Sequence, residues 1–143
     1  MSATPRLLLG FDYGTKQIGV AVGQAITGQA RELCVLKAQN GVPDWQKVEA
    51  LIKEWQPDAI VVGLPLNMDG SESEFCTRAR RFARRLHARS GKPVTMVDER
   101  LSTAEAKAEA GPPRDYRRHS VDGRAAALIL GTWLSDPGAG CDP

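Results

Sequence analysis

The chain has 143 residues, 42% of them hydrophobic and 25% charged, and a formal net charge of +2. These values predict one globular domain with a sizeable core, and a charge so near zero selects no class of partner. The three cysteines are odd in number and fit neither a disulfide framework nor metal-ligand spacing, and no apolar run approaches a membrane span. We therefore expect a cytoplasmic protein with no membrane partner.

Hydrophobic periodicity and turn residues predict five strands and four helices. The strands cover residues 7–13, 18–22, 31–36, 59–64 and 94–97. The first helix is opened by residues 41–44 and ended by Pro57, and the others cover 72–90, a short stretch from Ser102, and 121–134.

This order predicts an α/β fold of the ribonuclease H-like type. We expect a five-stranded mixed sheet in which strands 1–3 form an antiparallel meander, strands 4 and 5 run parallel to strand 1, and helices flank both faces. Residues 1–135 would form this single domain. Residues 136–143, which are rich in turn formers, would be a disordered C-terminal tail.

The run over residues 7–22 carries one carboxylate, Asp12, at the end of an otherwise apolar strand. An ionised carboxylate there is costly unless it is paired, hydrogen-bonded or bound to a cation. Gly14 leaves room for close backbone approach, and Thr15 with Lys16 offers a hydroxyl and a cation to a phosphate. Three hypotheses follow for Asp12 and this turn. Asp12 binds a divalent metal that a nucleic-acid phosphate also approaches, or the turn cradles a nucleotide phosphate as in actin-like ATPases and sugar kinases. In the third hypothesis, Asp12 is a structural residue satisfied by backbone amides.

Two further acids stand at element ends, Glu99 after predicted strand five and Asp122 in the first turn of the last helix. Separately, Asp122 could complement the helix dipole and Glu99 could pair with Arg100. Parallel strands would place Asp12 and Glu99 at one sheet edge, where Asp122 could face them. Three convergent acids tolerate that proximity around Mg²⁺ or Mn²⁺, which is the apparatus of phosphodiester hydrolysis. The strand pleat would turn Asp98 to the opposite face, where we expect a supporting role.

Basic residues lie on the second helix and in the segment before Asp122. The arginines along one face of the second helix are either solvent-exposed or in contact with nucleic acid. The basic segment before Asp122 would lie beside the three acids, where it could bring a phosphate backbone to the metal. The residues that we assign to nucleic-acid binding are Lys16, Arg78, Arg81, Arg85, Arg100, Arg117 and Arg118.

Four motifs in order, at residues 11–21, 62–70, 98–103 and 122–130, closely resemble the YqgF/RuvX family over about residues 6–134. The resemblance implies a ribonuclease H-like fold similar to Holliday junction resolvases, a bacterial cytoplasmic location and a role in maturing the 5′ end of 16S rRNA. It also implies that Asp12, Glu99 and Asp122 are the acidic active-site positions. The chain has Gly63 where related resolvases carry an acid on strand four, and Glu99 would supply that ligand.

The chain departs from the family pattern just before Asp122. Family members commonly carry a lysine there, whereas this segment has Arg117, Arg118 and His119, and Pro112-Pro113 replaces the usual glycine-rich loop. We therefore leave the details of substrate engagement open, with Arg118 or His119 as substitutes for the lysine.

We predict a metal-dependent endonuclease that uses Mg²⁺ or Mn²⁺ on structured nucleic acid, with precursor 16S rRNA favoured over a four-way DNA junction. Its partners would include the pre-30S ribosomal particle, and the protein would be a monomer or weak dimer. The alternatives are a Holliday junction resolvase, an actin-like ATPase and a non-catalytic module that binds RNA or a transcription factor.

Overall fold

The computed structural model describes residues 6–67, 69–99, 124–136 and 140–143. Its strands are β1 (Leu7–Asp12), β2 (Gln17–Gln24), β3 (Gln29–Gln39), β4 (Val42–Pro43), β5 (Ala59–Leu64) and β6 (Val94–Asp98). Its helices are α1 (Trp45–Trp55), α2 (Glu74–Ser90) and α3 (Arg124–Ser135). The predicted short helix from Ser102 and the predicted start of the last helix, including Asp122, lie outside the described residues.

The strands form one mixed sheet in the order β4-β3-β2-β1-β5-β6. Strands β1, β2 and β3 pair antiparallel, β5 pairs parallel with β1, and β6 pairs parallel with β5. This arrangement confirms the predicted α/β architecture. The parallel part of the sheet brings the carboxyl ends of β1, β5 and β6 to one edge.

The sheet has six strands rather than the predicted five, because a two-residue strand, β4, pairs with the end of β3. Asn40 and Gly41 both have positive φ, 50° and 82°, and they reverse the chain between the two strands. An Asn-Gly pair is a strong hairpin signal that the prediction passed over. Helix α1 begins directly after Asp44, the last of the residues predicted to open it, and the Asp44 side chain accepts from the backbone N–H of Gln46 at 3.0 Å.

The two faces of the sheet carry separate cores. On one face, apolar side chains such as Leu9, Phe11 and Val62 pack with residues of α1 and α2. On the other, Leu8, Val61 and their neighbours pack with α3. Because side chains alternate along a strand, consecutive residues at the end of β1 belong to opposite layers. Strand β5 is buried at every position, as predicted for a central strand covered on both faces.

The last described residues lie against the outer edge of β6. Met96 and Cys141 exchange two backbone hydrogen bonds, of 2.7 and 2.8 Å, and form an isolated antiparallel bridge. Arg80 Nη1 also donates to the carbonyl oxygen of Asp142 at 3.0 Å. The predicted disordered tail covered residues 136–143. Within it, Cys141 pairs with backbone groups of an edge strand, where unpaired groups would otherwise be exposed.

No helix in the described part of the chain is both long enough and apolar enough to cross a lipid bilayer.

Candidate active site

Asp12 is the last residue of β1 and lies opposite Gly19 of β2. Phe11 faces α1 and α2, so the pleat turns Asp12 toward the layer of α3. Helix α3 approaches β1 closely there, since a Cβ on Gly10 would lie 2.9 Å from Leu130 Cβ and 3.1 Å from the carbonyl oxygen of Ala126. Asp12 is therefore a partly buried carboxyl group beside a tightly packed helix–strand contact.

Glu99 directly follows β6 and is also partly buried. Although β5 separates β6 from β1, the carboxyl groups of Glu99 and Asp12 are joined by a hydrogen bond. The predicted convergence of these two acids is thus present in the structure. Asp122 and Arg100, which were predicted beside them, lie outside the described residues.

Gly63 on β5 creates the space that this contact needs. A Cβ on Gly63 would lie 2.6 Å from Oε1 and 2.8 Å from Cγ of Glu99, and 2.5 Å from Cδ1 of Ile129 on α3. Cβ contacts below about 3.0 Å are essentially never observed, so any other residue at position 63 would displace a neighbour. The side chain of Glu99 therefore crosses β5 over the one position that offers no side chain.

The two carboxyl groups strongly perturb each other. Burial raises the pKa of Asp12, and the hydrogen bond from Glu99 opposes that rise. The pKa of Glu99 is raised well above its ordinary value, first by burial, then by the charge of Asp12, by its hydrogen bond to Asp12 and by the charge of Asp98. Glu99 is accordingly the protonated partner that donates to the Asp12 carboxylate. A divalent cation held by both carboxylates would neutralise the charges that this shared proton now offsets.

This donor set suits a hard divalent cation. Carboxylate oxygens are the protein ligands that Mg²⁺ and Mn²⁺ prefer, whereas thiols and imidazoles select softer metals. Within the described residues no cluster of three or more candidate ligands is assembled. Asp12 and Glu99 thus fit two of the three predicted ligand positions.

The turn after Asp12 is the predicted tight hairpin. A Cβ on Gly14 would collide with the backbone carbonyl of Gln17, so this position needs glycine. The turn carbonyls of Thr15 and Lys16 accept hydrogen bonds of 2.8 Å from Gly41 and Ala38. Lys16 itself borders an open groove of about 880 Å³ beside β3 and β4, together with Lys37.

The arginines of α2 stand apart from the acids. Arg78, Arg81 and Arg85 line a cleft on the α1–α2 side of the sheet. Arg89, in the same stripe, pairs with Glu49 at 3.5 Å and stacks over the ring of Trp45 at 4.6 Å. The predicted contacts Arg117 and Arg118 lie outside the described residues.

Sequence reasoning noted Gly63 only as the absence of an acid and missed its packing role. A glycine inside a fully buried strand is itself a signal of close approach by another group. Asn40 was also missed. Its backbone carbonyl and side-chain oxygen accept from Arg78 Nη2 at 2.8 and 3.0 Å, and so hold that arginine in the cleft.

The sequence matches a known protein family and its members. Residues 6–136 match the family model described as "RuvX: Holliday junction resolvase". A protein of Azotobacter vinelandii named "Putative pre-16S rRNA nuclease" is 70% identical over 139 residues, which cover 95% of this chain and 98% of that protein. A protein of the same name from Pseudomonas paraeruginosa is 71% identical over 134 residues, covering 92% of this chain and 93% of its own length.

Solved structures share the fold at much lower identity. The structure of Thermus thermophilus RuvC in complex with Holliday junction substrate aligns with a TM-score of 0.54 at 17% identity and covers 94% of this chain and 98% of that one. A second Thermus thermophilus RuvC structure aligns with a TM-score of 0.52. These likenesses support the ribonuclease H-like architecture alone. The family model and the two relatives, which span nearly the whole chain, establish that this protein belongs to the RuvX family.

Proposed function

We propose that this protein is a divalent-metal-dependent endonuclease that hydrolyses phosphodiester bonds in structured nucleic acid. The observation that carries the proposal is the Asp12–Glu99 carboxyl pair, assembled across an intervening strand at the carboxyl edge of the parallel strands. Two partly buried acids at this edge have no evident structural purpose, because burial raises the pKa of each and the charge of Asp12 raises that of Glu99 further, at a cost to the ionised fold.

Asp12 and Glu99 would hold Mg²⁺ or Mn²⁺, and Asp122 is the third proposed ligand. When bound, such an ion activates a water for attack and stabilises the leaving oxygen. Ligation requires both carboxylates to be ionised, so Glu99 gives up the proton that it shares with Asp12. Gly63 keeps the path of Glu99 open, and the packing of α3 against β1 fixes the direction of Asp12.

The substrate that we propose is the 5′ region of precursor 16S rRNA, processed in the cytoplasm on or near the pre-30S particle. The names of the relatives from Azotobacter and Pseudomonas support this choice. Lys16 borders the groove beside β4 and would contact the backbone there, and we propose the same role for Arg100, Arg117 and Arg118. Four-way DNA junctions are the second candidate, which the description of the family model favours.

Cleavage of defined substrates tests the proposal. The purified protein with Mn²⁺ or Mg²⁺ is given a precursor 16S rRNA 5′ fragment and, separately, a four-way DNA junction. We expect the RNA to be cut, and Asp12→Asn or Glu99→Gln to lower the rate by at least about 100-fold, as loss of a metal ligand does. Glu54→Gln on the exposed side of α1 is the matched control and retains the full rate.

Undiminished cleavage by Asp12→Asn would remove that residue from the active site. Cutting of the junction in preference to RNA would replace the substrate with DNA. Binding of RNA without cleavage under either metal would favour the non-catalytic module instead.

A further inference from the structure

A second site lies on the opposite face of the sheet from the acids. It is a cleft of about 130 Å³ between the middle of α2 and the turn that joins β3 to β4. The residues that line it include Tyr13, Asn40, Trp45, Arg78, Arg81 and Arg85. The lining thus contains three guanidinium groups and, among the described residues, no carboxylate.

The charge of this cleft is uncompensated within the described part of the chain. Arg80 and Arg89 of the same helix pair with Glu72 and Glu49, but no described acid pairs with Arg81 or Arg85. Spacings of three, four and seven residues bring the three arginines onto one helix face, where like charges repel. A site of this kind is stabilised when an anion enters it.

The cleft is shaped in advance. Arg78 is held by its two hydrogen bonds to Asn40, and Asn40 is held by the hairpin turn that continues into Gly41. A Cβ on Gly41 would collide with the hydroxyl group of Tyr13, so the turn packs directly on that ring. Tyr13 in turn stacks against Phe75 and Phe82, with ring centroids 5.4 and 5.2 Å away. One arginine is therefore fixed, and two exposed ones stand beside it.

The cleft and the acids are neighbours along the chain. Tyr13, which lines the cleft, directly follows Asp12, and the two residues belong to opposite faces at the end of β1. Adjacent residues of the chain therefore contribute to the two sites, on opposite faces of the sheet. On its far side the cleft shares Val42 and Pro43 with the groove that holds Lys16 and Lys37. The cleft therefore adjoins a groove that carries two lysines and one acid, Asp44.

We propose that the α2–β4 cleft, through Arg78, Arg81 and Arg85, binds backbone phosphates of the nucleic acid a few nucleotides away from the bond presented to Asp12 and Glu99. This inference rests on the proposed nuclease function and adds to it an anchor that lies away from the reacting phosphate. Phosphate contacts of this type fix the position and register of the substrate without reading its sequence.

Binding without cleavage tests the anchor. Fluorescence anisotropy is measured in EDTA with two labelled probes, an RNA hairpin carrying a single-stranded 5′ extension and a four-way DNA junction, each over a range of salt concentrations. Arg81→Ala/Arg85→Ala should weaken binding by on the order of 10-fold or more at low salt. It should also reduce the slope of log affinity against log salt by about 1 for each phosphate that the variant no longer neutralises.

Arg84→Ala is the matched control, because Arg84 is an exposed arginine of the same helix that does not line the cleft. Arg81→Lys/Arg85→Lys should retain most of the salt slope, since the charges remain. Whether the double alanine variant loses affinity for the RNA probe, for the DNA probe or for both would show which nucleic acid the cleft binds. A double alanine variant that binds both probes as Arg84→Ala does would overturn the anchor.

The two proposals fail separately. If the wild-type protein never cleaves, but the double variant loses affinity relative to Arg84→Ala, the anchor stands and the nuclease does not. If the wild-type protein cleaves, but the double variant and Arg84→Ala bind with equal affinity, the nuclease function is supported and the anchor is not.

Discussion

Glu99 hydrogen-bonds with Asp12 although the strands that carry them, β6 and β1, are not neighbours in the sheet. Two strand spacings amount to about 9–10 Å, so the side chain of Glu99 must cross the strand between them. It does so over Gly63, where a Cβ would lie 2.6 Å from Oε1 of Glu99. The geometry of the acid pair therefore depends on the absence of a side chain at position 63 as much as on the two acids.

Gly63→Ala should displace Glu99 and separate the acid pair. We expect a loss of about 1–3 kcal/mol in the free energy of unfolding, as for overpacking, together with weaker Mn²⁺ binding measured by calorimetry. In a Glu99→Ala background the same substitution should cost less, because two of the three close contacts disappear. Additive costs in this double-mutant cycle would contradict the coupling.

Gly131→Ala is the control for Gly63→Ala. A Cβ at Gly131 on α3 meets nothing within 4 Å, and alanine is the better helix former. We expect a gain in the free energy of unfolding of roughly 0.5–1 kcal/mol and unchanged Mn²⁺ affinity.

The raised pKa values of Asp12 and Glu99 predict how the metal-free protein responds to pH. The folded state binds these protons more tightly than the unfolded state, so their stabilising contribution is complete below the ordinary carboxyl pKa, near 4. It is lost as the pH rises through the raised values. Urea unfolding in EDTA should therefore show stability falling with pH more steeply in the wild type than in Glu99→Gln, and equal slopes would contradict the assignment.

A divalent cation should reverse that loss of stability at pH values above the raised carboxyl pKa values. Ligand present at about 100 times its dissociation constant adds about 2.7 kcal/mol to the folded state, which corresponds to roughly 5–10 °C in Tm for a chain of this size. Differential scanning calorimetry with Mn²⁺ should show this shift in the wild type and not in Asp12→Asn. Sodium chloride of matched ionic strength controls for screening, and a shift retained by Asp12→Asn would place the cation elsewhere.

Removal of residues 137–143 should expose the edge of β6. The truncation deletes both backbone hydrogen bonds between Met96 and Cys141, each worth about 0.5–1.5 kcal/mol. Hydrogen exchange at the Met96 amide should accelerate, whereas amides of β5, which is paired on both sides, should keep their protection. Unchanged protection of Met96 would show that the bridge does not persist in solution.

Local patterns determined much of this protein directly. Alternation and apolar runs located the major strands of the sheet, and the apolar character of β5 on both faces identified it as central, because burial on each side leaves no polar position. Asp12 was predicted as a site residue from the cost of a carboxylate at the end of an apolar strand, and Glu99 from its position directly after the last predicted strand. Each of these signals is contained within a few consecutive residues.

Tertiary structure decided what depends on residues distant in sequence. Whether Glu99 reaches Asp12 depends on Gly63 and on α3, and whether the arginines of α2 share a cleft depends on Asn40 and the turn before β4. The bridge from Cys141 to β6 has no local signal, because an edge strand accepts any extended segment that the fold delivers to it. Packing across strands and between layers creates these relationships, and no sequence pattern of period 2 or 3.6 encodes them.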